Sequence, residues 1–243
     1  MFKKSAVLLL ALATPASAQD ASWSYKATLY GWFPGFDSSV QTEYGDLNGS
    51  LSSSDVLSDL DMAFMGSFGA QNGPWGLTAD LIYSDLSDSV PTPFGALFSE
   101  GTVSMRMTAL SGYATYRVTE TEDVQLDLGV GFRAFDMQLD ATLTGAAAPT
   151  ETRGGSETWI DPLIAARFVA PINDQWFVKG FADMGGTGSD DQTWQAYAGV
   201  GYKIDENWSA EAGWRYMSIK NTARDLPFDV DLNGAVFGVT YSF

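Results

Sequence analysis

The chain has 243 residues, with thirteen basic side chains against thirty acidic ones for a net charge of −17, and it contains neither cysteine nor histidine. Without cysteine there is no disulfide framework and no thiolate site. Without histidine the Ser–His and Asp–His catalytic arrangements and the commonest metal ligand are gone. The acidic balance argues against nucleic acid, whose phosphates need a basic patch.

The N-terminus has the pattern of a secretory signal. Lys3 and Lys4 form a positive start, residues 6–13 are apolar, and Ala16, Ser17 and Ala18 offer a small-residue cleavage site. The expected division is a signal peptide over residues 1–18 and one β-domain over residues 19–243. Loss of Lys3 and Lys4 takes the net charge from −17 to −19. No later stretch is apolar for the roughly 20 residues a spanning helix needs.

From residue 22 onward the dominant period is two. Trp75, Leu77, Ala79, Leu81 and Tyr83 alternate with Gly76, Thr78, Asp80 and Ile82. Val124, Leu126, Leu128, Val130 and Phe132 alternate with Gln125, Asp127, Gly129 and Gly131. This is the strand signature. In chain order it predicts ten strands at 22–33, 61–71, 75–86, 102–118, 124–136, 157–171, 176–187, 193–204, 208–221 and 229–243. Eight or twelve strands are the alternatives if a connection is misread.

The connections alternate between short and long. Short polar turns end at Trp75, Trp176 and Trp208, and a fourth covers residues 119–123. Longer connections fall at 34–60, 87–101, 137–156, 188–192 and 222–228. Short turns on one side and long loops on the other suit an all-β, closed antiparallel up-and-down transmembrane β-barrel. Trp75, Trp176 and Trp208 then form an aromatic girdle at one lipid–water interface. A soluble sandwich with these Trp in its core is the competing reading. In the first long connection, Ser54 or Asp55 is placed to cap a short helix, either a lid over the barrel or an ordinary turn. The second is apolar over residues 90–98, a contact patch or a segment folded back on the rim.

At the C-terminus Phe237, Val239, Tyr241 and Phe243 share one parity. Here the chain resembles the bacterial outer-membrane barrels, and overall it is similar to the small OmpA-like and opacity-protein-like families. The resemblance implies that Tyr241 and Phe243 are read by the barrel-insertion machinery and that the chain resides in the outer membrane. It also implies that the chain is no enzyme, because the hydrolases and acyltransferases of barrel form generally use a histidine.

With each post-turn Trp facing lipid, the inward parity collects Lys26, Asp80, Arg117, Asp127, Arg133, Asp161, Arg167, Lys179, Asp183, Lys203, Glu211 and Arg215. Charges avoid the lipid face, where Arg or Lys costs about 2–4 kcal/mol at the midplane. Mixed signs in a confined lumen should pair. Inward Gly129, Gly131, Gly199, Gly201 and Gly213 beside Phe135, Phe177, Phe181 and Tyr197 suggest large-against-small filling. The remaining acids concentrate in connections such as Asp37, Glu43, Asp46, Asp55 and Asp59. That face would sit beside anionic lipopolysaccharide, where divalent cations bridge carboxylates; a plain solvated face is the alternative. No cofactor is indicated. Two functions fit: a structural or surface-interaction barrel with a charge-paired, plugged lumen, or a narrow passive channel for small solutes. An unpaired ring of lumen charge would favour the channel.

Overall fold

The structure, a computed structural model, describes residues 22–42, 45–91, 98–188, 190–223 and 226–243. The expected signal peptide therefore lies outside the described residues, and so do the side chains of 90–98.

Eleven strands and one short helix follow in order: β1 (Ser24–Thr42), β2 (Gly45–Leu51), α1 (Ser53–Ser58), β3 (Leu60–Asn72), β4 (Trp75–Pro91), β5 (Phe98–Glu120), β6 (Gln125–Gly145), β7 (Glu151–Pro171), β8 (Trp176–Gly186), β9 (Gln192–Lys203), β10 (Trp208–Ala223) and β11 (Leu226–Ser242). Ten of them, β1 and β3 to β11, pair antiparallel with their neighbours, and β11 returns to β1 from Lys26↔Ser242 to Val40↔Phe228. The sheet is thus a closed ten-stranded antiparallel barrel, in which every barrel strand has a neighbour on both sides. β2 stands outside it, paired only with β1 from Phe36↔Leu51 to Thr42↔Gly45.

The short turns close by local chemistry. Gly73 takes φ +53°, a region costly for other residues. Asn173 Oδ1 accepts from the backbone N–H of Gln175 and Trp176, and Asp205 Oδ1 accepts from Asn207 and Trp208 in the same way. Both are side-chain-closed Asx turns.

The long connections differ from expectation. Residues 137–156 are mostly strand, since β6 runs on to Gly145 and β7 begins at Glu151. The segment 34–60 is the outer half of β1, then β2 and α1, and the first stretch of 87–101 also continues β4. The helix cap is Ser52, whose side chain accepts from the Asp55 backbone while Asp55 answers the Ser52 N–H in a capping box; neither Ser54 nor Asp55 is the cap. Crossing a bilayer takes about 9–11 strand residues, yet β5 has 23 and β6 and β7 have 21 each. The surplus forms a β-wall beyond the lipid at the long-hairpin end.

The side-chain pattern inverts where that wall begins. On β6 the inward side runs Asp127, Gly129, Gly131, Arg133, then Phe135, Met137 and Leu139. The outward side runs Leu128, Val130, Phe132, then Asp136, Gln138 and Asp140. β5 does the same: outward Leu110 and Tyr116 give way to Thr108 and Arg106, while inward Tyr113 and Ser111 give way to Ala109 and Met107. In the turn-end half lipid demands an apolar exterior and the interior carries polar groups. In the hairpin-end half water demands a polar exterior, so the apolar side chains turn inward.

Candidate functional site: the barrel lumen

Seven strands send polar side chains into one layer across the lumen. Arg133 on β6 is 0 % exposed. Its Nη2 donates to Asp183 Oδ2 on β8 at 2.6 Å and to Tyr113 Oη at 3.0 Å, its Nε to Ser111 Oγ at 3.0 Å, and its Nη1 to Thr193 Oγ1 at 2.9 Å. Asp183 also accepts from Tyr113 Oη at 2.7 Å and Gln195 Nε2 at 2.6 Å. Gln195 Oε1 accepts from Arg215 Nε at 2.7 Å, and Arg215 Nη1 donates to Tyr30 Oη at 3.0 Å. Tyr30 donates to Asp80 at 2.7 Å, and the Arg215 guanidinium stands 3.6 Å from the same carboxylate. A continuous chain of charge-assisted bonds therefore runs from Asp80 on β4 through β1, β10, β9 and β8 to Arg133. In a low-dielectric interior such a network is stable only when nearly every member has a partner.

A second group lies nearer the short turns. Asp127 receives Arg117 Nε at 2.9 Å and Arg167 Nη2 at 2.5 Å, and Lys179 pairs with Glu211. Not every expected member joins. Asp161 is buried opposite Arg133 in register, but it accepts from Trp159 Nε1 at 3.1 Å and forms no ion pair among the described residues. The Arg133 fork is already filled by Asp183 and three hydroxyls. Asp161 Oδ1 is buried without a hydrogen-bond partner among the described residues. Lys26 and Lys203 have no ion pair among the described residues, and both are exposed near the turn-end rim. Parity alone put Lys203 with the lumen set, but as the last residue of β9 it lies where water replaces a partner.

Formal charge was too narrow a criterion. Tyr30, Tyr113, Gln195, Ser111 and Thr193 hold the network together, and inward parity was the signal that marks them. Glycines make room: a Cβ on Gly131 would meet the Tyr113 ring, and one on Gly201 or Gly199 the rings of Phe177 and Tyr197.

Above this layer, toward the long hairpins, the lumen turns apolar. Trp32, Met65, Ile82, Met107, Phe135, Met217, Ile219, Val230 and Leu232 pack as one buried cluster. The Phe135 and Trp159 rings stack at 4.8 Å, and Arg215 lies 5.0 Å from the centre of the Trp32 ring. A cavity of about 960 Å³ opens above the cluster, and a smaller one of about 190 Å³ lies on the turn-end side of the charged layer.

Outside, each post-turn Trp meets a Tyr in direct register: Trp75 with Tyr116 at 5.0 Å, Trp176 with Tyr202 at 4.9 Å and Trp208 with Tyr241 at 4.8 Å. Phe243 stacks on Tyr25 at 5.6 Å where the last strand meets the first. Beyond the lipid band Arg106 pairs with Asp85 and Lys220 with Asp229 on the outer wall. Hydrogen bonds from the Ser52 hydroxyl and backbone hold the Asp55 carboxyl below the ordinary aspartate range. Among the described residues no three carboxylates gather at metal-ligating distance. Glu43 and the Asp46 side chain lie outside the described residues.

An apolar, aromatic-ringed exterior around a polar lumen defines an integral β-barrel of a lipid bilayer. The chain belongs to the outer membrane protein beta-barrel domain family, whose pattern it matches over residues 5–243, and the bacterial outer membrane is its place. No curated protein sequence matches. Among solved structures it is similar to the outer membrane protease OmpT of Escherichia coli, at 10% identity over 95% of this chain and 99% of that one, with a TM-score of 0.65. Looser likenesses include Ail of Yersinia pestis (13% identity, TM-score 0.39, 91% of this chain and 98% of that one) and Neisserial surface protein A (14%, 0.34, 92% and 99%). The expectation that the chain is no enzyme needs correction. A barrel of this architecture carries a protease, so membership of the fold does not exclude catalysis, although the likeness at this identity is one of fold alone.

Proposed function

We propose that this protein is a structural, surface-displaying barrel of the outer membrane, exported by a signal peptide over residues 1–18 and closed to solute flow by its own lumen. Its short turns face the periplasm and its long hairpins the exterior, beside lipopolysaccharide, with Tyr241 and Phe243 serving recognition by the barrel-insertion machinery. The observation that carries the reading is the Arg133–Asp183 pair, in which neither side chain is exposed. A conducting path would hydrate such a pair. Among the described residues the surrounding bonds leave no ring of unpaired like charge, the arrangement that would favour ion conduction. The test is planar-bilayer conductance of the purified protein. Silence at all voltages is the expected result, and a stable open level would move the assignment to the passive-channel reading.

A further inference from the structure

The cavity at the hairpin end is walled by side chains that a plain membrane plug does not require. Met65, Met105, Met107 and Met137 line it with Trp32 and Phe228. Its volume of about 960 Å³ is that of a small-molecule site. Methionine thioethers and aromatic rings are the groups that adapt to an irregular apolar guest. Small closed barrels do hold one ligand in this way.

Two features say what the guest is. First, the wall has a gap. β1 pairs with β3 only from Ser24↔Gln71 to Leu29↔Gly66, and with β2 only from Phe36 onward. Tyr30 to Gly35 therefore have ladder partners on the β11 side and none on the β3 side. Within the gap the Trp32 N–H bonds to Met65 Sδ at 3.3 Å in place of a strand carbonyl. Outward Met62 and Phe64, 59 % and 48 % exposed, flank it on β3. The gap thus sits at the upper edge of the lipid-facing band, and Gly31, Phe33 and Ala63 from its borders also line the cavity. Second, the charged residues at the cavity margin are mainly acidic, with Asp59, Asp88 and Glu157 against Arg153. That margin disfavours an anionic guest. The Trp32 Nε1 donor is buried without a partner among the described residues, so a guest with one hydrogen-bond acceptor would satisfy it.

We propose that this cup binds one neutral, apolar, membrane-soluble small molecule, with an acceptor group held toward Trp32. The proposal rests on the closed-lumen reading only for the floor of the cup, where the charged layer makes it blind-ended; the apolar walls do not depend on it.

The test uses the full mature chain in lipid nanodiscs, with N-phenylnaphthylamine as neutral probe and anilinonaphthalene sulfonate, the same rings with a negative charge, as competitor. Fluorescence above that of empty nanodiscs should saturate at one probe per chain. Met107→Lys and Met137→Lys should each weaken binding at least about tenfold, while Thr152→Lys on the outer wall should not. Heat-modifiable gel mobility confirms that each variant is folded. The sulfonate should fail to displace the probe. Equal binding by wild type and both folded lysine variants overturns the proposal, and so does displacement by the sulfonate at matching concentration. Conductance of the same samples separates the two readings. A wild type that conducts yet binds the probe loses the closed-lumen function and keeps the cup; one that is silent and does not bind loses the cup alone.

Discussion

Arg133 and Asp183 meet inside the barrel at 2.6 Å, from strands β6 and β8 with β7 between them, and both side chains are 0 % exposed. A buried pair of this kind gains little over an apolar pair of equal volume, but a broken one leaves an uncompensated charge. Arg133→Ala should therefore lower the unfolding free energy by about 3–5 kcal/mol. Adding Asp183→Asn to it should cost less than the two single changes summed. Urea unfolding in lipid vesicles followed by tryptophan fluorescence measures both. Strict additivity would mean that the two residues are not coupled.

Arg215 and Lys220 sit on the same strand and give opposite expectations. Arg215 is bonded to Tyr30 and Gln195 and stands against Asp80, so Arg215→Ala should strip the network of its link between β1 and β9. Lower thermal stability on heat-modifiable gels, or a leak in the bilayer assay, is the expected result. Lys220 pairs with Asp229 at 2.9 Å on the outer wall, where half of its side chain is exposed. Its alanine variant should change stability by no more than about 1 kcal/mol and should not leak.

Trp208 and Tyr241 lie in register on β10 and β11 at the turn-end interface. A double-mutant cycle to alanine should give a coupling of about 0.5–1.5 kcal/mol, the usual worth of an aromatic pair beyond its area. Brominated lipids carrying the bromine near the headgroup should quench Trp208 more than those carrying it near the chain end. The reverse depth order would remove this residue from the girdle.

The α1 helix should respond to acid through Asp55. Its carboxyl titrates below the ordinary aspartate range because Ser52 bonds the charged form. The stabilisation is then fully present above the unfolded-state pKa and is lost as pH falls through the lower folded value. Protection of the α1 amides against hydrogen exchange, taken relative to the intrinsic rate at each pH, should be greatest near neutrality and fall in strong acid. Asp55→Asn should flatten that dependence.

The order of the ten barrel strands was legible because each part of it is local. A period of two, Asn and Asp turn residues and a Trp after the turn act within a few residues of one another, and antiparallel neighbours follow from short connections. Outward Trp75, Trp176 and Trp208 follow from the same parity. The long connections were misjudged for a physical reason. Past residue 136 the β6 pattern still alternates, but with the apolar side chains on the other face, so a reading that fixes one face as lipid takes the inversion for the end of the strand. The capping box at Ser52 was within reach, since Asp55 lies three residues on.

The sequence by itself determined that alternate residues face one interior and that lipid forbids those charges outside. It did not determine which charges meet. Arg133 stands in register with Asp161 yet pairs with Asp183, because side chains converge across a curved lumen according to height and reach, and height depends on the stagger of all the strands together. The cup is non-local in the same sense. Met65, Met107, Met137 and Trp32 come from four strands, and they become a cavity only because closure sets them at one level above the charged layer, where the wall has left the lipid and its solvent has changed.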